Sequence, residues 1–297
     1  MSVLRLATRG SKLAQVQAEL AGERLRLAHP GLEVEFVIVA TAGDQDQSTP
    51  LPEGTQAGWF TSAVQDALIL DDADIAVHSY KDLPTKRPDG LIIAAVPLRE
   101  DPRDALVSRN HASLRGLPAG AIVGTSSPRR TAQVRELRPD VEVRPIRGNV
   151  DTRVAKVEAG EYDAAVLALA GLRRLGVESR ADHVFGFEEM LPSPAQGALA
   201  IECRTDDAET RALLAAIDDP VLRQTVTAER MFLATIDGGC SFPAAAYAEH
   251  FGSTLKLNAL IATDGRIIRS KMAGPAETAG GLGKQLAEEL MALAGLR

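Results

Sequence analysis

The 297-residue sequence has two cysteines, one tryptophan and only 4% aromatic residues. Cys203 and Cys240 cannot build a disulfide framework, which points to a reducing, cytoplasmic setting. No apolar run approaches the ~20 residues that a membrane helix needs, so no membrane partner is expected. The opening Met1-Ser2-Val3-Leu4-Arg5 lacks the charged-then-apolar layout of a secretory signal. Positive charge is not in excess either: the formal net charge is −7, which argues against a nucleic-acid partner. The chain contains no G-x-G-x-x-G string and no P-loop, and no His/Cys/Asp spacing of a metal site, so neither nucleotide cofactors nor metals are expected. Internal repeats and low-complexity tracts are also lacking. What is there is 45% hydrophobic residues, enough at this length for large cores in two or three domains.

Those residues alternate between strand and helix patterns. Val3–Ala7 reads as a strand, Ser11 as the cap of a helix running to Leu27, and Val34, Phe36 and Ile38 as a second strand. Residues 43–58 are polar and aperiodic, a long loop of the kind that forms lids. A helix pattern follows from Phe60 to Leu70, then strands at Asp74–Val77 and Leu91–Val96. A second set begins near Arg99, with strands at Ala105–Val107, Ile122–Val123, Val141–Val143 and Ala164–Leu169 and helices at Pro128–Leu137 and after Asn149. Leu199–Glu202 and Ala208–Ile217 add one more strand and helix. A helical pattern from Val221 to Thr235 leads to a β-rich tail with strands at 254–261 and 266–272 and a helix from about Ala276 to Leu293. The alternation predicts two α/β domains with open, mostly parallel sheets, followed by a small α+β domain.

Three features carry chemistry. Asp237-Gly238-Gly239-Cys240-Ser241-Phe242-Pro243 places a thiol in a loop whose glycines allow close backbone approach and whose proline stops a helix. Such a cysteine is either a small buried hydrophobe or an accessible functional thiol. Arginines cluster where strands meet helices: Arg9, Arg129 and Arg130 after Ser126-Ser127-Pro128, Arg147 with Arg153 beyond Gly148-Asn149, and Arg173-Arg174. Cations at helix N-termini oppose the helix dipole by ~0.3–1 kcal/mol each unless an anion is present. Ligands of open α/β sheets bind at the carboxyl ends of strands, so the placement at four such sites favours a polyanionic small ligand over solvated surface charges. His78-Ser79-Tyr80-Lys81-Asp82-Leu83-Pro84 occupies another such edge. It reads either as a ligand-facing group of hydroxyl, ammonium and carboxylate or as a polar turn before Pro84, with His78 a packed residue.

Together these strings resemble the porphobilinogen deaminase family. The carriers are Ala7-Thr8-Arg9, Asp74 to Asp82, Arg99-Glu100-Asp101-Pro102-Arg103-Asp104, Gly124 to Arg130, Arg147-Gly148-Asn149-Val150 and Gly238-Gly239-Cys240. The resemblance implies two domains of periplasmic-binding-protein type around a cleft, spanning residues 1–98 with 196–217 and residues 99–195. A third domain, 218–297, would carry the cofactor cysteine. It implies a monomer that deaminates porphobilinogen and joins four molecules into hydroxymethylbilane on a dipyrromethane cofactor held by a thioether at Cys240. Asp82 would be catalytic. Arg9, Ser11, Ser79, Lys81, Thr125, Ser126, Ser127, Arg129, Arg130, Arg147, Gly148, Arg153, Arg174 and Gln196 would bind cofactor and substrate.

Two strings depart from the family, and one further carboxylate bears on binding. The lid string, usually lysine-bearing, reads Thr55-Gln56-Ala57-Gly58-Trp59-Phe60, so closure would rest on Trp59 and Phe60 stacking over rings. The hinge string Pro192-Ser193-Pro194-Ala195-Gln196-Gly197-Ala198 has alanine where the family has its first glycine, which bears on hinge flexibility. Asp151, between two binding arginines, should weaken anion affinity. The rival reading is a two-lobed, non-enzymatic small-anion binding protein, either a solute receptor or the effector domain of a regulator. The missing secretory signal opposes the first, and neither explains Cys240 or the third domain.

Overall fold

The computed structural model describes residues 3–40, 61–236 and 242–296. Trp59, Phe60, Cys240 and the loop expected at 43–58 lie outside the described residues. The chain divides into two compact units, Met1–Glu100 with Ala198–Arg223, and Asp101–Gly197 with Gln224–Arg297.

The first unit is built on a five-stranded sheet in the order Glu33–Val39, Val3–Arg9, Ile75–Ser79, Leu199–Arg204, Leu91–Ala95. Side chains alternate across it. Leu4 and Leu6 face the helix Lys12–Ala28 through Ala18, Ala21 and Leu25, while Ala7 and Ala76 face the helix Ser62–Ile69 through Val64 and Leu68. The first three strands are parallel, but Leu199–Arg204 runs antiparallel to both of its neighbours. The sheet is therefore mixed rather than mostly parallel. The strand that brings the chain back into this unit enters from the opposite end, a direction that periodicity does not encode.

The second unit repeats the plan. Its sheet runs Glu142–Arg144, Ile122–Gly124, Ala164–Ala168, Asp104–Ser108, His183–Val184, with the first three parallel and Asp104–Ser108 antiparallel to both neighbours. Leu106, Val123 and Val166 pack with Val134 of the helix Pro128–Leu137. On the other face Val107, Ala165 and Leu167 meet Val154 and Val157 of the helix Val150–Glu158.

The same unit ends in a small domain. The helix Pro220–Ile236 precedes three antiparallel strands, Ala244–Phe251, Thr254–Thr263 and Arg266–Pro275, and the helix Ala279–Leu293 closes the chain. Leu255, Leu257 and Ile261 pack with Phe232, Leu286 and Leu290. The two helices cross closely at Gly283, where a Cβ would lie 2.1 Å from the Ala228 carbonyl oxygen. The alanine-rich first strand went beyond the two strands expected in this tail. Alanine has little intrinsic strand preference, and Ala246 and Ala248 are held there by the core they enter.

Glu229, fully buried on the helix Pro220–Ile236, ties this domain to the sheet domain. Its carboxylate accepts from the Ala195 N–H at 2.6 Å and the Ala248 N–H at 2.9 Å. Ala195 sits at φ 61°, the left-handed conformation that explains a glycine at this place in the family string. Holding alanine there costs ~1–2 kcal/mol, which the bond from Glu229 helps offset. Glu229→Ala would strand two buried N–H groups at ~1–3 kcal/mol each. We expect it to lower the unfolding free energy of this unit by about 2–6 kcal/mol in chemical denaturation. A change below about 1 kcal/mol would remove Glu229 from this role.

Candidate active site

The candidate residues gather at strand ends, separately in each unit. In the first unit Val3–Arg9 and Ile75–Ser79 are adjacent and parallel, with Ala7 opposite Ala76, so their carboxyl ends emerge side by side. Arg9 ends one strand. Ser11 caps the next helix, its side chain accepting from the Ala14 N–H at 3.3 Å. Ser79 ends the other strand, and a single turn of 3₁₀ helix, Tyr80–Asp82, follows. That turn is anchored by the Tyr80 N–H donating to the Ala198 carbonyl at 3.0 Å, and it leaves Asp82 exposed and Lys81 half-buried. Gln17 Nε2 donates to Ser79 Oγ at 2.8 Å, fixing the serine against the helix.

His78 is packed, 5% exposed, and its ring lies 3.1 Å from Glu202 Oε2 on the neighbouring strand. Gln65 Nε2 donates to the same oxygen at 2.9 Å. Burial pushes the Glu202 carboxyl up, but its bonds to His78 and Gln65 outweigh this and hold it below the usual carboxylate range. Cys203, one residue on, is buried in the same strand, and burial pushes its thiol up to about 11. It is an inert core residue.

In the second unit the three parallel strands bring two arginine-bearing strand-to-helix junctions to one sheet edge, whereas Arg173 and Arg174, expected at a third, lie in the last turn of the helix Leu169–Arg174 that directly follows Ala164–Ala168. After Ile122–Gly124, the Thr125 N–H donates to the Arg144 carbonyl at 2.9 Å, and Thr125 Oγ1 accepts from the Ser127 N–H at 3.2 Å. Ser126 Oγ donates to the Ile146 carbonyl at 2.8 Å and accepts from its N–H at 3.1 Å, clamping two of the turns together. Ser127 caps the helix that begins at Pro128.

After Glu142–Arg144 comes Arg147, then Gly148 at φ 106°, where a Cβ would meet Thr152 Cγ2 at 2.6 Å. Only glycine fits this turn. Arg153 Nε donates to the Gly148 carbonyl at 2.8 Å. Asp151 is exposed in the first turn of its helix, where its charge suits the dipole. Beyond Ala164–Ala168, Arg174 Nη2 donates to the Gly197 carbonyl at 2.6 Å.

Arg129 and Arg130 are 4% and 6% exposed, far from the solvated charges that one reading allowed. Both hold Asp104, a residue to which the sequence reading gave no role and whose burial is complete. Arg129 Nη1 donates to Asp104 Oδ2 at 2.6 Å and to the Leu191 carbonyl at 2.7 Å. Arg130 Nε and Nη2 donate to Oδ1 at 3.1 and 2.6 Å, and its Nη1 to the Val166 carbonyl at 2.9 Å. Gln196 Nε2 adds bonds to Oδ1 at 2.9 Å and to the Pro102 carbonyl at 2.7 Å. Burial alone would push the Asp104 carboxyl up, yet the two guanidinium charges hold it well below the usual carboxylate range.

No local spacing signals this cluster, because Asp104 and the arginines lie on separate elements. The nearest signal was the Arg103-Asp104 string itself. A cavity of about 1030 Å³ adjoins the clamped turns, with Thr125, Ser126 and Pro128 on one side and Pro243, Thr263 and Arg266 on the other. Among the described residues no cluster of His, Cys, Asp or Glu could hold a metal ion, and no helix is long and apolar enough to cross a membrane.

Solved structures with similar chain paths include the periplasmic VFT2 domain of Bordetella pertussis BvgS, at 16% identity over 72% of this chain and 86% of that one, TM-score 0.44. A putative L-cystine ABC transporter from Listeria monocytogenes matches at 14% identity over 76% and 93%, TM-score 0.39. A Salmonella typhimurium periplasmic binding protein described for high arginine specificity matches at 11% over 75% and 94%, TM-score 0.41. At the level of sequence families, the model of the porphobilinogen deaminase dipyromethane cofactor binding domain matches residues 4–212 and that of the porphobilinogen deaminase C-terminal domain matches residues 223–292. With both models matched in order along the sequence, the chain belongs to the porphobilinogen deaminase family.

Proposed function

We propose that the chain is a transferase of tetrapyrrole synthesis that deaminates porphobilinogen and joins four molecules head to tail into hydroxymethylbilane, releasing ammonia. The observation that carries this reading is the arginine-lined sheet edge of the second unit. Two buried guanidinium groups there share one carboxylate, and Arg129 Nε, also buried, has no partner among the described residues. A buried charged donor without an acceptor is costly, so the edge suits a ligand that brings carboxylates. Each pyrrole ring in this chemistry carries an acetate and a propionate.

The donors present therefore fit a dipyrromethane, with Cys240 as its point of attachment and Thr125, Ser126, Ser127, Arg129, Arg130, Arg147, Arg153 and Arg174 as the side chains around its carboxylates. When bound, that group supplies the free pyrrole carbon on which the chain grows. In the first unit Arg9, Ser11, Ser79 and Lys81 offer further cations and hydroxyls at one sheet edge for substrate carboxylates. Asp82 stands exposed beside them on a turn anchored by backbone bonding. Loss of ammonia from porphobilinogen leaves a cation, and a fixed carboxylate lowers the energy of that charge.

The purified chain tests the reading directly. Its intact mass under denaturing conditions is expected to exceed the sequence mass by two pyrrole units, and it is expected to release ammonia from porphobilinogen. A mass equal to that of the bare sequence, before and after incubation with porphobilinogen, would overturn the assignment.

A further inference from the structure

Asp104 is the residue at this edge that neither the family strings nor the ligand chemistry assigns a task. It is fully buried, and its two oxygens are divided between two cations, Oδ2 for Arg129 and Oδ1 for Arg130. Gln196 fixes the second oxygen from the far side and is itself anchored on the Pro102 carbonyl. Gln133 adds a further brace: its amide donates to the Leu191 carbonyl at 3.1 Å and accepts from the Leu191 N–H at 2.8 Å, holding the carbonyl that Arg129 also uses.

The two arginines are thereby made unequal. Arg130 directs Nε, Nη1 and Nη2 at protein oxygens. Arg129 commits Nη1 to two acceptors and keeps Nε buried without a partner among the described residues. In charge, the buried group is two cations against one anion, so one further negative charge would complete it.

We propose that Asp104 is a positioning residue: it locks Arg130 as scaffold and aims Arg129 at a single incoming carboxylate. The inference rests on the proposed function for the source of that carboxylate, one of the pyrrole acetates or propionates. Arg129 bears the mark of this incompleteness: burial lowers its hold on its proton, and the Asp104 charge, opposed in turn by the neighbouring Arg130 charge, does not fully restore it. A purely structural ion pair would need the same charge at Asp104 but not the same reach. A positioning residue needs both.

Asp104→Glu separates the two, because it keeps the compensating charge and moves the carboxylate by one methylene. The full-length variant is incubated with porphobilinogen and read by calorimetric melting and by denatured intact mass. We expect a melting point within about 5 °C of wild type, since both arginines stay compensated. The adduct-bearing fraction should fall at least about fivefold, and KM of the loaded fraction should rise about tenfold with kcat held, as lost uniform binding requires. If Asp104→Glu does not fold, Gln196→Ala decides. It leaves every charge in place and removes the amide's bonds to Oδ1 and to the Pro102 carbonyl, while both Arg130 bonds to Oδ1 remain, so the same split should appear at reduced size.

Wild-type loading and wild-type KM in the folded variant would make Asp104 a structural ion pair and overturn the proposal. A wild-type chain that never gains the mass increment would count against the proposed function alone. The positioning role is then read with succinate as the probe, by NMR of the Arg129 Nε–H group. The signal should shift in wild type and respond at least about fivefold more weakly in the variant, and an equal response in both would overturn it.

Discussion

Cys240→Ala is expected to yield a folded protein with no mass increment and no turnover of porphobilinogen. Folding should survive because the described residues on either side of positions 237–241 are held in a core whose described members do not include Cys240. Phe232 and Leu233 close the helix that precedes it, and Ala244 and Ala246 seat the strand that follows. Chemistry should not survive, because a thioether has no other nucleophile to form on. Cys203 is no substitute: it is buried within a strand of the first unit, and its thiol, raised to about 11, is almost wholly protonated at neutral pH. Cys203→Ala therefore serves as the control, with the adduct intact and a modest loss of stability from the vacated volume. Intact mass and ammonia release on both variants decide the matter. An adduct that persists in Cys240→Ala, or one that disappears in Cys203→Ala, would remove Cys240 from the role.

The strand ends were legible in the sequence because they are local events. A serine cap and a first-turn proline at 126–128 announce a helix start, and the helix begins at Pro128. Gly148 was placed from the family string, and its φ of 106° over Thr152 supplies the reason that no other residue stands there. The hinge alanine shows the same logic reversed, since Ala195 adopts a left-handed backbone that glycine would take without strain, with a buried Glu229 accepting from its N–H.

What the sequence did not show was non-local. Asp104 pairs with residues 25 and 26 positions away, and Glu202 with His78 across two strands. Neither pairing leaves a periodic trace. Strand direction was hidden for the same reason: Leu199–Glu202 reads as a buried strand whichever way it runs. The arginines illustrate the limit most clearly. Helix-dipole reasoning flagged Arg129 and Arg130 as misplaced cations awaiting an anion, and a protein carboxylate already meets part of that need.

Asp82→Asn is expected to lower kcat by ~10²–10³-fold while leaving KM within a small factor, the pattern of a group that acts on charge present only in the transition state. The carboxylate sits on the short turn Tyr80–Asp82, exposed, with the backbone ahead of it pinned by the bond between the Tyr80 N–H and the Ala198 carbonyl. Leu83, fully buried behind it, donates its N–H to the Tyr80 carbonyl at 3.3 Å and closes the turn. The turn thus holds its shape without help from the Asp82 side chain, and asparagine should fit it with little change in stability.

That separates the two readings of the residue. If Asp82 were merely a turn former ahead of Pro84, asparagine, an equally good turn residue, would leave the rate intact. If its charge stabilises the cation left when ammonia departs, asparagine keeps the shape and loses the effect. Asp82→Glu restores the charge one methylene further out and should recover part of the rate. The comparison must be made on protein that already carries its adduct, verified by intact mass, because a variant unable to complete its own priming would be inactive for a different reason. Loaded Asp82→Asn turning over at the wild-type rate would assign the carboxylate to the turn and leave the stabilisation of charge to another group.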